Sequence, residues 1–85
     1  MTRVGRILEK IVRGASDADV PFAEIRHLLG TLGFEERTRG SHHIFVRKGI
    51  DEILNLQPRH GKAKPYQVRQ VRGVILKYRL GAKKL

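Results

Sequence analysis

Apolar residues recur at helical spacing in three segments of the chain, and between the second and third segments the spacing changes to that of strands. In residues 3 to 13 the apolar positions follow the i, i+3, i+4, i+7, i+8 pattern of an amphipathic helix. These positions are Val4, Ile7, Leu8, Ile11 and Val12. The pattern predicts a short N-terminal helix that ends at Gly14, a residue type common after a helix C-terminus.

Two further helices are predicted, each beginning at a proline, which is tolerated in a first helical turn because the missing N–H has no partner there. The first begins at Pro21 and ends at Gly33. Its apolar face consists of Phe22, Ile25, Leu28, Leu29 and Leu32. The second begins at Pro65 and continues to Gly81. Its apolar face consists of Val68, Val71, Ile75 and Tyr78.

Between these helices the pattern predicts strands at residues 34–37, 41–48 and 52–56, with turns at 39–40 and 48–49. The fold class is therefore α+β: a three-stranded antiparallel sheet with two helices on one face, plus an extra N-terminal helix. This is the element order of double-stranded-RNA-binding domains. We expect one domain over residues 1–85. It comprises a helical extension (1–19), a core (20–80) and a frayed basic tail (81–85).

The charge balance indicates a polyanionic partner. The chain has 18 Lys and Arg against 8 Asp and Glu, a net charge of +10. Nucleic acid, an acidic protein and an anionic membrane all fit this charge. The membrane fits least, because no apolar run approaches the roughly 20 residues that a spanning helix needs; we expect a cytoplasmic protein. The absence of cysteine excludes disulfides and thiolate zinc sites.

The candidate chemistry lies in the segment Gly-Ser-His-His-Ile-Phe at residues 40–45. Histidine has an unperturbed pKa of about 6.5, so it exchanges protons near neutral pH and suits general acid/base work on a ribose 2′-hydroxyl. A metal site is not predicted, and neither is any other cofactor, because neighbouring strand residues point to opposite faces and do not readily chelate one ion. The pattern leaves open whether His42 or His43 faces the site. Either imidazole is alternatively a hydrogen-bonded, half-buried strand residue.

Candidate RNA-binding residues form two groups and include the hydroxyl of Ser41. The first group flanks the predicted hairpin and consists of Arg37, Arg39, Arg47 and Lys48. The second lies in the loop before the last helix and consists of Arg59, His60, Lys62 and Lys64. Cations next to a helix N-terminus are a plausible phosphate cradle, and a solvated charged loop is the alternative. Arg39 or Arg47 is the candidate cation for a phosphorane-like transition state.

Four segments together resemble the HicA family of toxin mRNA interferases, from bacterial HicA/HicB toxin-antitoxin pairs. They are Leu-Gly-Phe at 32–34, Gly-Ser-His-His-Ile-Phe at 40–45, Leu-Asn-Leu-Gln-Pro at 54–58, and Gly-Lys-Ala-Lys-Pro-Tyr-Gln-Val-Arg-Gln-Val-Arg at 61–72. The resemblance covers roughly residues 22 to 80. It implies a double-stranded-RNA-binding-like fold, metal-independent cleavage of messenger RNA, and neutralisation by a cognate HicB antitoxin. The family's catalytic histidine follows a Gly-Ser or Gly-Gly turn, which corresponds to His42. His43 is the second candidate, because some members carry the histidine one place later.

The leading hypothesis is a ribonuclease toxin in which His42 is the general base and His43, with Arg39 or Arg47, assists proton transfer or charge stabilisation. A non-catalytic RNA-binding module that uses the same basic surface is the alternative. A third hypothesis is an interaction protein whose cations dock an acidic partner. Turnover of RNA separates the first hypothesis from the second, and weak RNA binding at physiological salt would indicate the third.

Overall fold

A computed structural model describes residues 2–81, and its element order is the predicted one. The helices are α1 (Arg3–Arg13), α2 (Phe22–Thr31) and α3 (Pro65–Tyr78). The strands are β1 (Glu35–Arg39), β2 (His42–Val46) and β3 (Leu54–Leu56). A single 3-10 turn, Asp17–Asp19, follows α1. Most of the predicted tail, residues 82–85, lies outside the described residues.

The three strands form an antiparallel sheet in the order β1-β2-β3. A two-residue turn joins β1 to β2, with Gly40 at a φ of +59°. Glycine at the first central position is the requirement of a type II′ turn, which matches the right-handed twist of the flanking strands. Arg39 pairs with His42 directly beside this turn. His42 is therefore the first residue of β2, at the turn end of the sheet.

One face of the sheet is buried against the helices. Phe45, Leu54 and Leu56 lie on this face and are at most 1% exposed. They join a single apolar cluster with the inner faces of the helices. The predicted fold class, with helices on one face of a three-stranded sheet, is confirmed. The other face of the sheet, which we call the open face, carries the alternate residues of each strand.

The N-terminal helix α1 packs against both α2 and α3. Ile7 and Ile11 are 3% and 0% exposed and belong to the apolar cluster. The helix α1, which precedes the range covered by the resemblance, thus contributes to the core. Val12, predicted on the apolar face, is 37% exposed instead. The surface that this helix buries is narrower than the surface that its apolar residues span.

Arg72 attaches the end of α1 to α3. Its Nε donates to the carbonyl oxygen of Ile11 at 2.7 Å, and its guanidinium pairs with the carboxylate of Asp17. Gly14 takes the left-handed conformation with a φ of +70°, and a Cβ there would lie 3.1 Å from Cζ of Arg72. Glycine at this position therefore provides both the helix stop and room for the guanidinium.

The last helix ends earlier than predicted, at Tyr78 rather than at Gly81. Arg79 has a φ of +52°, and the N–H of Leu80 donates to the carbonyl oxygen of Ile75 at 3.0 Å. Leu80 also packs against the apolar cluster. A left-handed residue followed by an apolar contact is a common helix stop, and here the packing of Leu80 decides the position.

A polar contact joins the loop before β3 to the end of α3. The hydroxyl of Tyr78 donates to Oε1 of Glu52 at 2.6 Å, and Nζ of Lys77 lies 2.9 Å from Oε2. These two hydrogen bonds, that from Tyr78 first, lower the pKa of Glu52 to about 2. Tyr78 thus places its ring on the predicted apolar face of the last helix while its hydroxyl bonds this carboxylate.

The free energy of unfolding is expected to fall as the pH is lowered from about 4.5 to about 2. The folded state lowers the pKa of Glu52, so its stabilising contribution is fully present above the unfolded value and is lost during acidification. We therefore expect Glu52→Gln to be less stable than the parent at pH 7, with a difference that shrinks toward pH 2. Urea unfolding over this range measures it.

Asp51→Asn is the matched control for charge, because it removes a carboxylate from the neighbouring exposed residue. The difference in free energy of unfolding between Asp51→Asn and the parent should change less with pH than the corresponding difference for Glu52→Gln. A pH-independent difference for Glu52→Gln would show that the contact does not titrate as described.

Candidate active site

His42 lies on the open face of the sheet and is exposed to solvent. It shares this face with Ile44 and Val46 of the same strand, as alternation requires. Asn55 of β3 pairs with Ile44 and is thereby a diagonal neighbour of His42. Its side-chain oxygen Oδ1 lies 3.0 Å from Nδ1 of His42. The imidazole is thus held by one ring nitrogen while it remains accessible.

This contact determines which nitrogen of the neutral His42 ring carries the proton. An amide oxygen only accepts hydrogen bonds, so Nδ1 must be the donor toward Asn55. Nε2 then has a free lone pair, which is the state required of a general base. Asn55 was missed as a functional residue, although its position between two apolar residues in Leu54-Asn55-Leu56 already indicates the face opposite the core.

Two arginines lie beside His42 on the open face. Arg39 pairs directly with His42, and Arg37 pairs with Ile44 one step further along. Side chains directly opposite each other in an antiparallel pair have Cβ atoms about 4.5–5.5 Å apart. A shallow pocket of about 480 Å³ runs along the two arginines, with Ile44, Val46 and Ile53 in its wall. The site thus combines an imidazole, two guanidinium groups and an apolar surface.

His43 lies on the opposite, helix-covered face of the sheet. Its side chain is 17% exposed, and its Nδ1 donates to Oε2 of Glu36 at 2.7 Å. The ring of Phe22 meets it edge-on, with the ring centres 4.8 Å apart. His43 is thus half-buried and hydrogen-bonded within its strand, and a catalytic role for it stays a prediction.

Glu36 connects His43 to α2. Arg26 contacts both carboxylate oxygens, with its Nε 2.9 Å from Oε2 and its terminal nitrogen 3.2 Å from Oε1. Burial raises the pKa of the Glu36 carboxyl, but the hydrogen bonds from Arg26 and His43 outweigh the burial and leave that pKa below its ordinary value. This cluster orients His43 and attaches β1 to α2.

The structure does not bring all of the predicted hairpin residues together. His42 and His43 point to opposite faces, so they do not meet at one phosphodiester. Arg47 lies five residues from His42 along the strand, or about 17 Å. It is on the helix-covered face and rests against Gly33, where a Cβ would lie 3.5 Å from its Nε. Lys48 follows in the next turn and is exposed.

The turn before His42 is attached to the loop that follows β3. Nε2 of Gln57 donates to the hydroxyl oxygen of Ser41 at 2.9 Å. β3 is antiparallel to β2, so the loop leaves the sheet at the end where His42 lies. Gln57 had not been predicted as part of the site, since its partner is distant in sequence.

The basic loop before α3 has a regular structure of its own. Arg59 and Lys62 pair through two backbone hydrogen bonds of 2.8 and 3.0 Å. His60 and Gly61 between them have φ values of +52° and +77°, as in a type I′ turn. Lys62 forms an ion pair with Asp19 at 2.9 Å, and this interaction lowers the pKa of Asp19. Lys64 is half-buried at the start of α3.

Residues 2–81 contain neither a metal-ligand cluster nor a membrane-spanning helix. No group of three or more His, Cys, Asp or Glu side chains there is arranged to hold a metal ion. Each helix in this range is too short or too polar to span a bilayer.

Comparison with known families decides the classification. The profile described as the HicA toxin of bacterial toxin-antitoxin matches residues 22–78, two thirds of the chain. The chain belongs to the HicA toxin family. No curated protein and no solved structure matches it significantly. The matched range includes His42, Asn55 and every predicted RNA-binding residue, whereas α1 precedes it.

Proposed function

We propose that this HicA toxin is an endoribonuclease that cleaves messenger RNA, with His42 as the general base. The observation that carries the proposal is the accessible imidazole of His42, which is held at Nδ1 by Asn55 and lies opposite Arg39. This is the arrangement that proton abstraction beside a phosphate requires. The net charge of +10 supports a polyanionic substrate.

In the proposed reaction, Nε2 of His42 accepts the proton of a ribose 2′-hydroxyl. The 2′-oxygen then forms a bond to the adjacent phosphorus while the bond from phosphorus to the 5′-oxygen breaks. The products are a 2′,3′-cyclic phosphate and a 5′-hydroxyl, whose proton comes from water. The guanidinium of Arg39 stabilises the additional negative charge on the phosphate oxygens in the transition state.

The other predicted residues take different parts in this proposal. Arg37 and Ser41 contact the phosphates next to the scissile one, because they lie beside His42. The more distant cations bind flanking phosphates. These are Arg47, Lys48, Arg59, Lys62 and Lys64. We assign His43, bonded to Glu36, the role of a positioning residue that holds β2 in place rather than that of a second proton donor.

The family is one of toxin-antitoxin pairs, and we propose that a cognate HicB-type antitoxin neutralises this toxin in the cytoplasm, where messenger RNA is translated. An acidic antitoxin surface would complement the cations around His42. Binding there would block access to the imidazole and to Arg39 together.

Cleavage of a long single-stranded RNA is expected to proceed at the same rate in EDTA as in magnesium. The reason is that the base is an imidazole and the charge is stabilised by a guanidinium. The assay follows the disappearance of full-length RNA, and the fragments should carry 5′-hydroxyl ends that a polynucleotide kinase labels directly. Loss of activity in EDTA would contradict the metal-independent mechanism. No cleavage by a folded parent protein would favour the non-catalytic RNA-binding module.

A further inference from the structure

We infer that a second pocket, at the start of α3, binds one nucleotide of the single-stranded RNA substrate next to the cleavage site; this rests on the proposed action on RNA. The pocket has a volume of about 530 Å³ and opens to solvent. Arg59, His60, Lys64 and Tyr66 lie in its wall. Its volume is within the range of about 300–1,000 Å³ found for small-ligand sites.

Tyr66 supplies the surface for the base. Among residues 2–81, which include all three Phe and both Tyr of the chain, it is the aromatic residue that is mostly exposed, at 54%. The ring of Tyr66 has no place in the apolar cluster. An exposed aromatic ring between cations is the combination with which proteins stack the bases of single strands, whatever the base.

The cations supply the contacts to phosphate. Arg59 is exposed and Lys64 is half-buried at the pocket. His60 occupies a left-handed conformation that a side chain rarely adopts, and the hydrogen-bonded pair of Arg59 and Lys62 holds it there. Lys62 itself is paired with Asp19. The pocket therefore offers Arg59, Lys64 and the imidazole of His60 to an anionic ligand on the same side as Tyr66.

The position of the pocket indicates a neighbouring nucleotide of the same strand rather than an unrelated ligand. Gln57 is bonded to Ser41, directly before His42. Arg59 follows two residues later, a chain distance of at most about 7 Å. An RNA strand with its scissile phosphate at His42 therefore meets the pocket as it leaves the open face at the turn end of the sheet.

Equilibrium binding of a fluorescent, fully 2′-O-methylated RNA decamer tests this inference, because the decamer lacks the attacking hydroxyl. We expect Tyr66→Ala to weaken binding about tenfold, as loss of one stacked base does. Tyr66→Phe keeps the ring and should bind like the parent. Leu76→Ala is the matched control, since Leu76 is 55% exposed on the same helix, and it should also bind like the parent.

The inference is overturned if Tyr66→Ala binds the decamer like the parent, or if Tyr66→Phe binds as weakly as Tyr66→Ala. Weakened antitoxin binding by Tyr66→Ala with unchanged decamer affinity would overturn it too, and would assign the pocket to a protein contact. RNA cleavage by the parent, measured separately, tests the nuclease. If the parent binds the decamer through Tyr66 but does not cleave RNA, the subsite is supported and the catalytic proposal is wrong. If the parent cleaves RNA but Tyr66→Ala binds the decamer like the parent, the catalytic proposal is supported and the subsite is wrong.

Discussion

We expect replacement of His42 by alanine to lower the rate of RNA cleavage by about 10²- to 10⁴-fold, the usual contribution of a general acid or base. Stability should change little, because His42 is exposed and its hydrogen bond to Asn55 lies at the surface. Cleavage of a long single-stranded RNA in EDTA, with circular dichroism and urea unfolding of the same samples, measures both quantities. The loss should appear in kcat, since the role proposed for the imidazole is one in the transition state.

His43→Ala is the informative comparison. It removes the contacts with Phe22 and Glu36, so it should lower the free energy of unfolding more than His42→Ala does. Its effect on the cleavage rate of the folded protein should be the smaller of the two. His27→Ala is the control, because it removes an exposed imidazole from α2, and it should cleave like the parent. If His42→Ala were fully active while His43→Ala was folded and inactive, the base would be His43.

Replacement of Ile11 by alanine lowers the free energy of unfolding by about 2–5 kcal/mol, the usual cost of removing a large aliphatic side chain from a core. Ile11 is 0% exposed and packs from α1 into the apolar cluster. Domains of this kind are stable by only about 5–15 kcal/mol, so the loss is a large fraction of the total. Denaturant unfolding monitored by circular dichroism measures the difference.

Val12→Ala is the matched control on the same helix. Val12 is 37% exposed, so its truncation should cost clearly less than that of Ile11. The Ile11→Ala protein should still cleave RNA at low temperature, where it remains folded, because α1 packs on the helices rather than on the open face. A free energy of unfolding within about 0.5 kcal/mol of the parent would contradict the placement of α1 in the core, since surface substitutions have effects of that size.

Most of the side-chain contacts that the sequence did not predict join residues that are far apart in the chain. Arg72 lies outside the predicted apolar face of the last helix, yet it bonds Ile11 and Asp17. Asn55 and Gln57 received no role, although they hold His42 and the turn before it. Residue spacing reports local periodicity, and it carries no information on which polar side chains meet across a sheet.

The element order and the α+β class follow from the sequence alone, because helical and strand periodicities are local and the residues that end each element are read directly. The same holds for the basic character and for the segment that contains the candidate base. Only the tertiary structure shows which imidazole lies on the covered face and which on the open face. A strand alternates its faces, and the helices α2 and α3 cover the face of His43 and leave that of His42 open. Burial of Phe45, Leu54 and Leu56 selects the covered face, and so leaves His42 as the histidine of this pair that is exposed to solvent.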